Sequence, residues 1–217
     1  MAGLADGPPP RPYAPADWAD PPHAPFDVPP GRYAVLHVGA SSALKRWLPE
    51  NWRALAATLA LRADGLEIVW SAGAGEEEAV AAADPGHEHR SYAGRVDLAQ
   101  LWHLVKRASL LVSPDTGIAH LGRIVGTPTV ALFGPGSALL CGAGDFWRNA
   151  PFRAVTVEPF PCRDQRSLFK REIAWVRRCA RTLAQCPAPR CMHAIGVEQV
   201  REAVRAVHAE LDRATAS

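Results

Sequence analysis

The chain has 217 residues, enough for one substantial hydrophobic core, and its 48% apolar and 21% charged content is ordinary for a globular protein. Its 24 basic residues are balanced by 22 acidic ones, so the charge does not single out a nucleic-acid binder. No apolar run approaches the ~20 residues needed to cross a bilayer, and the N-terminus lacks the basic-then-apolar pattern of a secretory signal, leaving the cytoplasm as the expected location.

The first 30 residues hold ten of the 20 prolines, a composition that forms no regular element and predicts a linker-like arm over residues 1–32. From Tyr33 the pattern alternates between strand and helix. Ala34–Val38 is predicted as a short buried strand, Pro49 opens a helix reaching about Arg62, and Leu66–Trp70 is a second strand. Gly75–Ala83 reads as an alanine-rich helix with Glu76, Glu77 and Glu78 in its first turn, where negative charge complements the helix dipole. A weak strand, Ser91–Ala93, precedes a helix whose Leu98, Leu101, Trp102, Val105 and Ala108 share one face. Strand 109–112, helix 115–125 and strand 128–133 follow, the last apolar enough to be covered on both sides. Arg153–Val157 is a further candidate strand, and Val197, Val200, Val204, Val207 and Leu211 mark a closing amphipathic helix. Such repeated units predict an α/β fold, a Rossmann-like doubly wound parallel sheet with ligands at the carboxyl ends of its strands. Gly-x-Gly-x-x-Gly is absent, which counts against a dinucleotide-binding dehydrogenase.

The most informative stretch is Ser113–Pro135. Pro114 stops a strand, and Asp115 falls at a helix N-cap position with Thr116 and Gly117 as the first helical residues. A helix start of this kind carries unpaired N–H groups and partial positive charge, so it attracts phosphate. Gly117 lets a ligand approach the backbone, and His120, one turn along, can reach the same seat with a charge that changes near neutral pH. A second stretch, His37–Trp52, places Ser41, Ser42 and Lys45 in a loop after a strand, where hydroxyls and an ammonium can contact a diphosphate. Arg46 reads as an exposed neighbour and Trp47 as a packing residue. Cys162, Cys179, Cys186 and Cys191 gather late, with Cys141 apart, at spacings unlike paired Cys-x-x-Cys zinc sites; no metal site is expected, and disulfides are not expected in a reducing compartment. The basic stretch Arg163–Arg181 is predicted to form a solvated face, or one that docks on a partner or an acidic membrane surface.

The run Asp115-Thr-Gly-x-x-His120, followed by Gly126-Thr-Pro-x-Val-x-Leu-Phe-Gly134, resembles the donor-site signature of glycosyltransferase family 9, the bacterial lipopolysaccharide heptosyltransferases. Lys45-Arg-Trp47 after Gly39-Ala-Ser41 is similar to that family's opening loop, in the same order along the chain. The similarity runs from about Tyr33 to the C-terminal helix, matching the second half of a two-domain family.

The resemblance implies the C-terminal, donor-binding half of a GT-B architecture. It assigns the donor diphosphate and sugar to Asp115, Thr116, Gly117, His120 and Lys45, with Ser41 and Ser42, and the ribose hydroxyls to Glu77 or Glu76. It also leads one to expect the tail Cys186–Cys191. The implied reaction is inverting transfer of a sugar from a nucleotide diphosphate, of the ADP-heptose type, to a lipopolysaccharide-type glycan or lipid-linked acceptor. No cofactor and no divalent metal would be required, because fixed donors replace the cation. In the family the base is an aspartate of the N-terminal domain; residues 1–32 resemble no such region, and Asp6, Asp17, Asp20 and Asp27 lie in a linker-like context. The chain is therefore expected to bind a nucleotide sugar but to be weak or inactive alone, partnered by a separate N-terminal half or a second copy, and at most peripheral to the inner membrane. Two alternatives of the same fold are a non-catalytic nucleotide-sugar-binding module and a GT-B-like sugar-nucleotide epimerase.

Overall fold

A computed structural model describes residues 11–61, 66–142, 144–168 and 170–215. Five strands, β1 (Tyr33–His37), β2 (Glu67–Ser71), β3 (Arg90–Ser91), β4 (Leu110–Pro114) and β5 (Thr129–Phe133), join β6 (Phe152–Thr156) in one sheet of order β3-β2-β1-β4-β5-β6. Every pairing in that sheet is parallel. The helices between the strands are α1 (Pro49–Ala60), α2 (Glu77–Ala83), α3 (Leu98–Lys106) and α4 (Gly117–Val125). The short α5 (Ala138–Cys141) and α6 (Arg190–His193) precede the closing α7 (Val197–Thr215). A two-stranded antiparallel ribbon, β7 (Ser167–Leu168) with β8 (Arg171–Glu172), stands apart from the sheet.

The alternation of side chains along each strand explains why helices cover both sides. In β1, Ala34 and Leu36 pack with Trp52, Leu55, Val200 and Val204 of α1 and α7, whereas Tyr33 and Val35 pack with Leu104, Val105, Leu121 and Val125 of α3 and α4. Leu110 and Val112 of β4 face the first set and Leu111 the second. The strand is buried on both faces and reads as an unbroken apolar run, each large aliphatic side chain contributing about 1.5–3 kcal/mol on burial. The chain reverses its winding between β1 and β4, and the loops leaving those two strands open the crevice in which doubly wound folds take their ligands.

Several boundaries differ from those the sequence predicts. Helix α2 starts at Glu77 rather than Gly75, because Gly75 has φ +80° and Glu76 is the N-cap. Leu98 lies at the first position of α3 and is exposed, so the buried face is Leu101, Leu104 and Val105. Strand β3 holds Arg90 and Ser91 in place of 91–93. Pro114 ends β4 from inside it, aligned with Leu132, and the next N–H, that of Asp115, donates to Leu132 O at 2.9 Å. The predicted end of the first helix at Arg62 lies outside the described residues.

Residues 11–32 form no helix or strand beyond one 3-10 turn, Pro15–Asp17, and they are seated along the α3–α4 side. Tyr13 is buried and its hydroxyl donates to Ile124 O; Lys106 and Trp102 both hold Asp20, and Arg90 pairs with Asp27. Among the described residues no helix is long and apolar enough to cross a membrane.

Gly122 brings α4 against the sheet so closely that a Cβ would stand 2.4 Å from Thr129 Oγ1 and 2.5 Å from Leu111 Cδ2. Gly122→Ala is expected to destabilise the fold by about 1–3 kcal/mol through overpacking, read as a lower urea midpoint at unchanged slope. His37 is buried beside Ser71 Oγ (2.8 Å), and burial pushes its imidazole down to about 4. Above about pH 6.5 the ring is neutral in both folded and unfolded chains. As the pH falls from there the unfolded chain takes up a proton that the folded chain refuses, so stability is lost at up to about 1.4 kcal/mol per pH unit. A His37→Gln chain should show a flatter stability profile on acidification; parallel profiles would contradict the assignment.

Candidate functional site

Three loops leaving the carboxyl ends of β1, β4 and β5 meet at one point. The first, after β1, folds Ala43–Lys45 into a 3-10 turn, with Lys45 N donating to Ser42 O at 2.9 Å. Trp47 anchors its far side: the indole N–H donates to Ile195 O at 2.8 Å, and the ring meets Trp52 edge-on at 5.0 Å. The turn carries Lys45 across to the second loop, where Nζ donates to Asp115 O at 2.5 Å and to Asp115 Oδ2 at 3.1 Å. The Asp115 carboxylate is buried against the third loop, leaving no room for a Cβ on Gly136, which would lie 2.4 Å from Oδ2.

The sequence places the N-cap at Asp115; the structure places it one residue later. Thr116 has extended backbone and its Oγ1 accepts from Ile118 N at 3.3 Å, so α4 begins at Gly117. Asp115 cannot serve as the cap because its N–H is still in register with β5 and its side chain is turned to Lys45. Nothing stands within 4 Å of a Cβ built on Gly117, so the helix start is open on that side.

His120 follows one turn along α4. Its Nε2 lies 3.9 Å from Asp115 Oδ1, and its Nδ1 lies 2.5 Å from Arg123 Nη2. Burial, and then the neighbouring Arg123 cation, hold the imidazole below its usual range despite the opposing pull of Asp115. Arg123 is itself buried, donates from Nη1 to Gly142 O at 2.6 Å, and sits 4.5 Å and 4.8 Å from the ring centres of Trp147 and Phe152. Such stacking supplies attraction for a desolvated guanidinium.

These loops border a cleft of about 460 Å³ lined by Ser42, Lys45 and Asp115 together with Gly136, Ser137, Arg178 and Arg181. Ser41 is exposed and stands outside that lining, as do Thr116, Gly117 and His120 of the next loop and helix. The two acids part company. Glu76 accepts from Gly73 N (3.0 Å), faces Gly39 at the end of β1 and lies 3.9 Å from Arg46, whereas Glu77 accepts from Gly75 N (3.1 Å) and faces Gly94 beyond β3. Glu76 is thus the acid on the cleft's side of the sheet.

Arg178 and Arg181 are the residues that sequence reasoning missed. The stretch Arg163–Arg181 is not simply a solvated face: Arg163 is buried and donates to Gly134 O (2.7 Å) and Phe133 O (3.1 Å), pinning the stretch to the end of β5. Arg181 is held by Asp164 (3.0 Å) and by Cys162 O. Seven residues of that stretch are basic, and no local pattern in it separates these two arginines from the rest. All five cysteines are free thiols. Cys162, Cys179, Cys186 and Cys191 line a small adjoining cavity of about 90 Å³ that shares Cys179 and Arg181 with the cleft, and among the described residues no three His, Cys, Asp or Glu side chains are placed to hold a metal ion.

Comparison with known proteins bears on the family and the fold. Over residues 6–170 the chain matches the model of glycosyltransferase family 9 (heptosyltransferase), a match that begins inside the proline-rich arm and stops before the last cysteines. It is 31% identical over 157 residues to lipopolysaccharide heptosyltransferase 1 of Pseudomonas aeruginosa, covering 67% of this chain and 44% of that one. Against lipopolysaccharide heptosyltransferase 1 of Escherichia coli K12 the identity is 28% over 134 residues, covering 61% and 42%. The chain therefore spans under half the length of these curated relatives. Among solved structures, E. coli ADP-heptose lps heptosyltransferase II superposes with a TM-score of 0.60 at 20% identity, covering 83% and 47% of the two chains. E. coli heptosyltransferase WaaC with ADP gives 0.50 at 26%, covering 59% and 39%. The first likeness shows the fold, the Rossmann-like domain of GT-B enzymes, and the family match goes further: this chain belongs to glycosyltransferase family 9.

Proposed function

We propose that the chain is the donor-binding domain of a heptosyltransferase-like enzyme, and that the cleft between Lys45, Asp115 and Gly136 takes the diphosphate of a nucleotide sugar. The observation that carries this is the meeting of Lys45, Arg178 and Arg181 in one cleft beside the β1–β4 switch point, with the open helix start at Gly117 two residues on from Asp115 of its lining. In a partly enclosed cleft, fixed cations and backbone N–H groups stabilise a departing diphosphate without a divalent metal. An ADP-linked sugar is the preferred donor, since the WaaC structure similar to this chain is one with ADP. Glu76 is better sited than Glu77 to meet ribose hydroxyls, because it faces the end of β1.

The acceptor is proposed to be a lipopolysaccharide-type glycan, and the transfer to be inverting, with the attacking hydroxyl on the face opposite the diphosphate. A general base must take the proton of that hydroxyl. Asp115 is the only carboxylate among the described residues lining the cleft, and it is occupied by Lys45. The base is therefore assigned to another domain or chain, and this chain alone is expected to bind donor with little or no transfer. The same observation favours a second reading, a module that binds nucleotide sugar without transferring it. Sugar transfer restored by an added N-terminal half separates the two.

Calorimetric titration with ADP, UDP and GDP tests the proposal. One nucleotide, expected to be ADP, should bind, and Lys45→Ala should weaken it by about tenfold or more through loss of a charge-assisted contact. Gly117→Val, at a position where an added Cβ has nothing within 4 Å beyond its own turn, should weaken it comparably by blocking the helix start. A folded chain that binds none of the three, or binds ADP equally well in both variants, would overturn the assignment.

A further inference from the structure

We propose that Arg123 is a positioning residue that locks His120 in a single neutral form, with its one ring proton on Nε2, facing Asp115 at the edge of the cleft. The guanidinium has only N–H donors, so at 2.5 Å from Nδ1 it can make a hydrogen bond only if that nitrogen is bare and accepts. At neutral pH the remaining proton must then lie on Nε2, the nitrogen 3.9 Å from Asp115 Oδ1. Which ring nitrogen carries the proton is commonly set by the bond the other one makes, and here the partner is unusually constrained. Arg123 is buried, fixed at Nη1 by Gly142 O, and bracketed by the rings of Trp147 and Phe152, so it cannot swing away without leaving those contacts.

The charged groups around His120 come from three elements. Arg123 lies on its own helix, Asp115 on the turn after β4, and Lys45 on the loop after β1. A second ring proton would have to go on Nδ1, setting N–H against N–H with two cations in contact. Asp115 pulls the other way but already shares its charge with Lys45. The result is a histidine that donates one N–H in a fixed direction and stays uncharged, rather than a pH-responsive cation. Because the donor must point before the ligand arrives, this is preorganisation in the sense that favours anion binding in a fixed geometry. The bracketing extends outward as well: Trp147 packs on Tyr13 of the N-terminal arm at 4.7 Å, so the seating of the arm and the posture of His120 share one aromatic cluster.

This rests on the proposed diphosphate seat for its purpose but not for its test, which uses the full chain without nucleotide. Long-range proton–nitrogen NMR of ¹⁵N-histidine-labelled protein reports each ring nitrogen separately, and His120 is assigned by its loss in His120→Asn. At neutral pH, Nδ1 should resonate in the unprotonated range and Nε2 in the protonated range, as one species without averaging. Arg123→Met should bring in the other tautomer and raise the His120 titration midpoint by about one pH unit, since the cation goes and Asp115 stays. A wild-type ring protonated on Nδ1, averaged between tautomers, or doubly protonated at neutral pH would overturn the proposal, even if Arg123→Met does not fold. A chain that shows the expected tautomer yet binds no ADP would leave the lock standing and overturn the seat.

Discussion

Lys45 and Asp115 are 70 residues apart in the chain and 3.1 Å apart in space, and the shape of the cleft they both line depends on that meeting. It is made possible by the reversal of winding that puts β4 next to β1 instead of beside β3, so that two unrelated loops leave the sheet side by side. The pair is neither a fully exposed ion pair of negligible worth nor a sealed one: the carboxylate is buried and the ammonium about one-third exposed. A cation held this way by a neighbouring anion and a backbone carbonyl is oriented without being neutralised toward the cleft. Gly136 then closes the third side, since any larger residue would collide with the carboxylate.

Around this pair, rigidity and openness are distributed unequally. Behind it lie β1, β4 and β5, buried on both faces, together with Gly122 pressing α4 onto the sheet. In front of it, Gly117 and the side chains of Arg178 and Arg181 border open space. The cysteine-bearing excursion after β6 gains its fixed posture from Arg163, whose buried guanidinium reaches back to carbonyls at the end of β5. A loop-rich stretch is thereby tied to the same strand end that shapes the cleft, which explains how residues so far along the chain come to line it.

Much of this was legible in the sequence because the signals were periodic or local. The apolar runs around Val35, Leu111 and Val130 could only be covered strands, and Val197 to Leu211 could only be an amphipathic helix. Lys45, Asp115 and Gly117 were singled out by the resemblance to family 9 and by their places after strand ends, and the structure sets the first of them against the second. What escaped were facts set by pairing between distant residues. Asp115 looks like an N-cap by type, and only the register of β4 on β5 shows that its N–H is spoken for and that Thr116 takes the role. Arg163 and Arg123 look like solvated charges, since sequence alone cannot show that carbonyls or ring faces await them. The separation of Glu76 from Glu77 likewise follows from φ +80° at Gly75, a backbone detail without periodicity.

The most direct measurement of the central claim is where nucleotide touches the chain. Backbone amide shifts of the labelled protein, followed through a titration with ADP, should move most at residues 41–45, 116–120 and 134–137, the three loops at the ends of β1, β4 and β5. A contradiction would be shifts gathered elsewhere, for example around the cleft of about 300 Å³ between α1 and the turn at Asp84–His89, with those three loops unmoved.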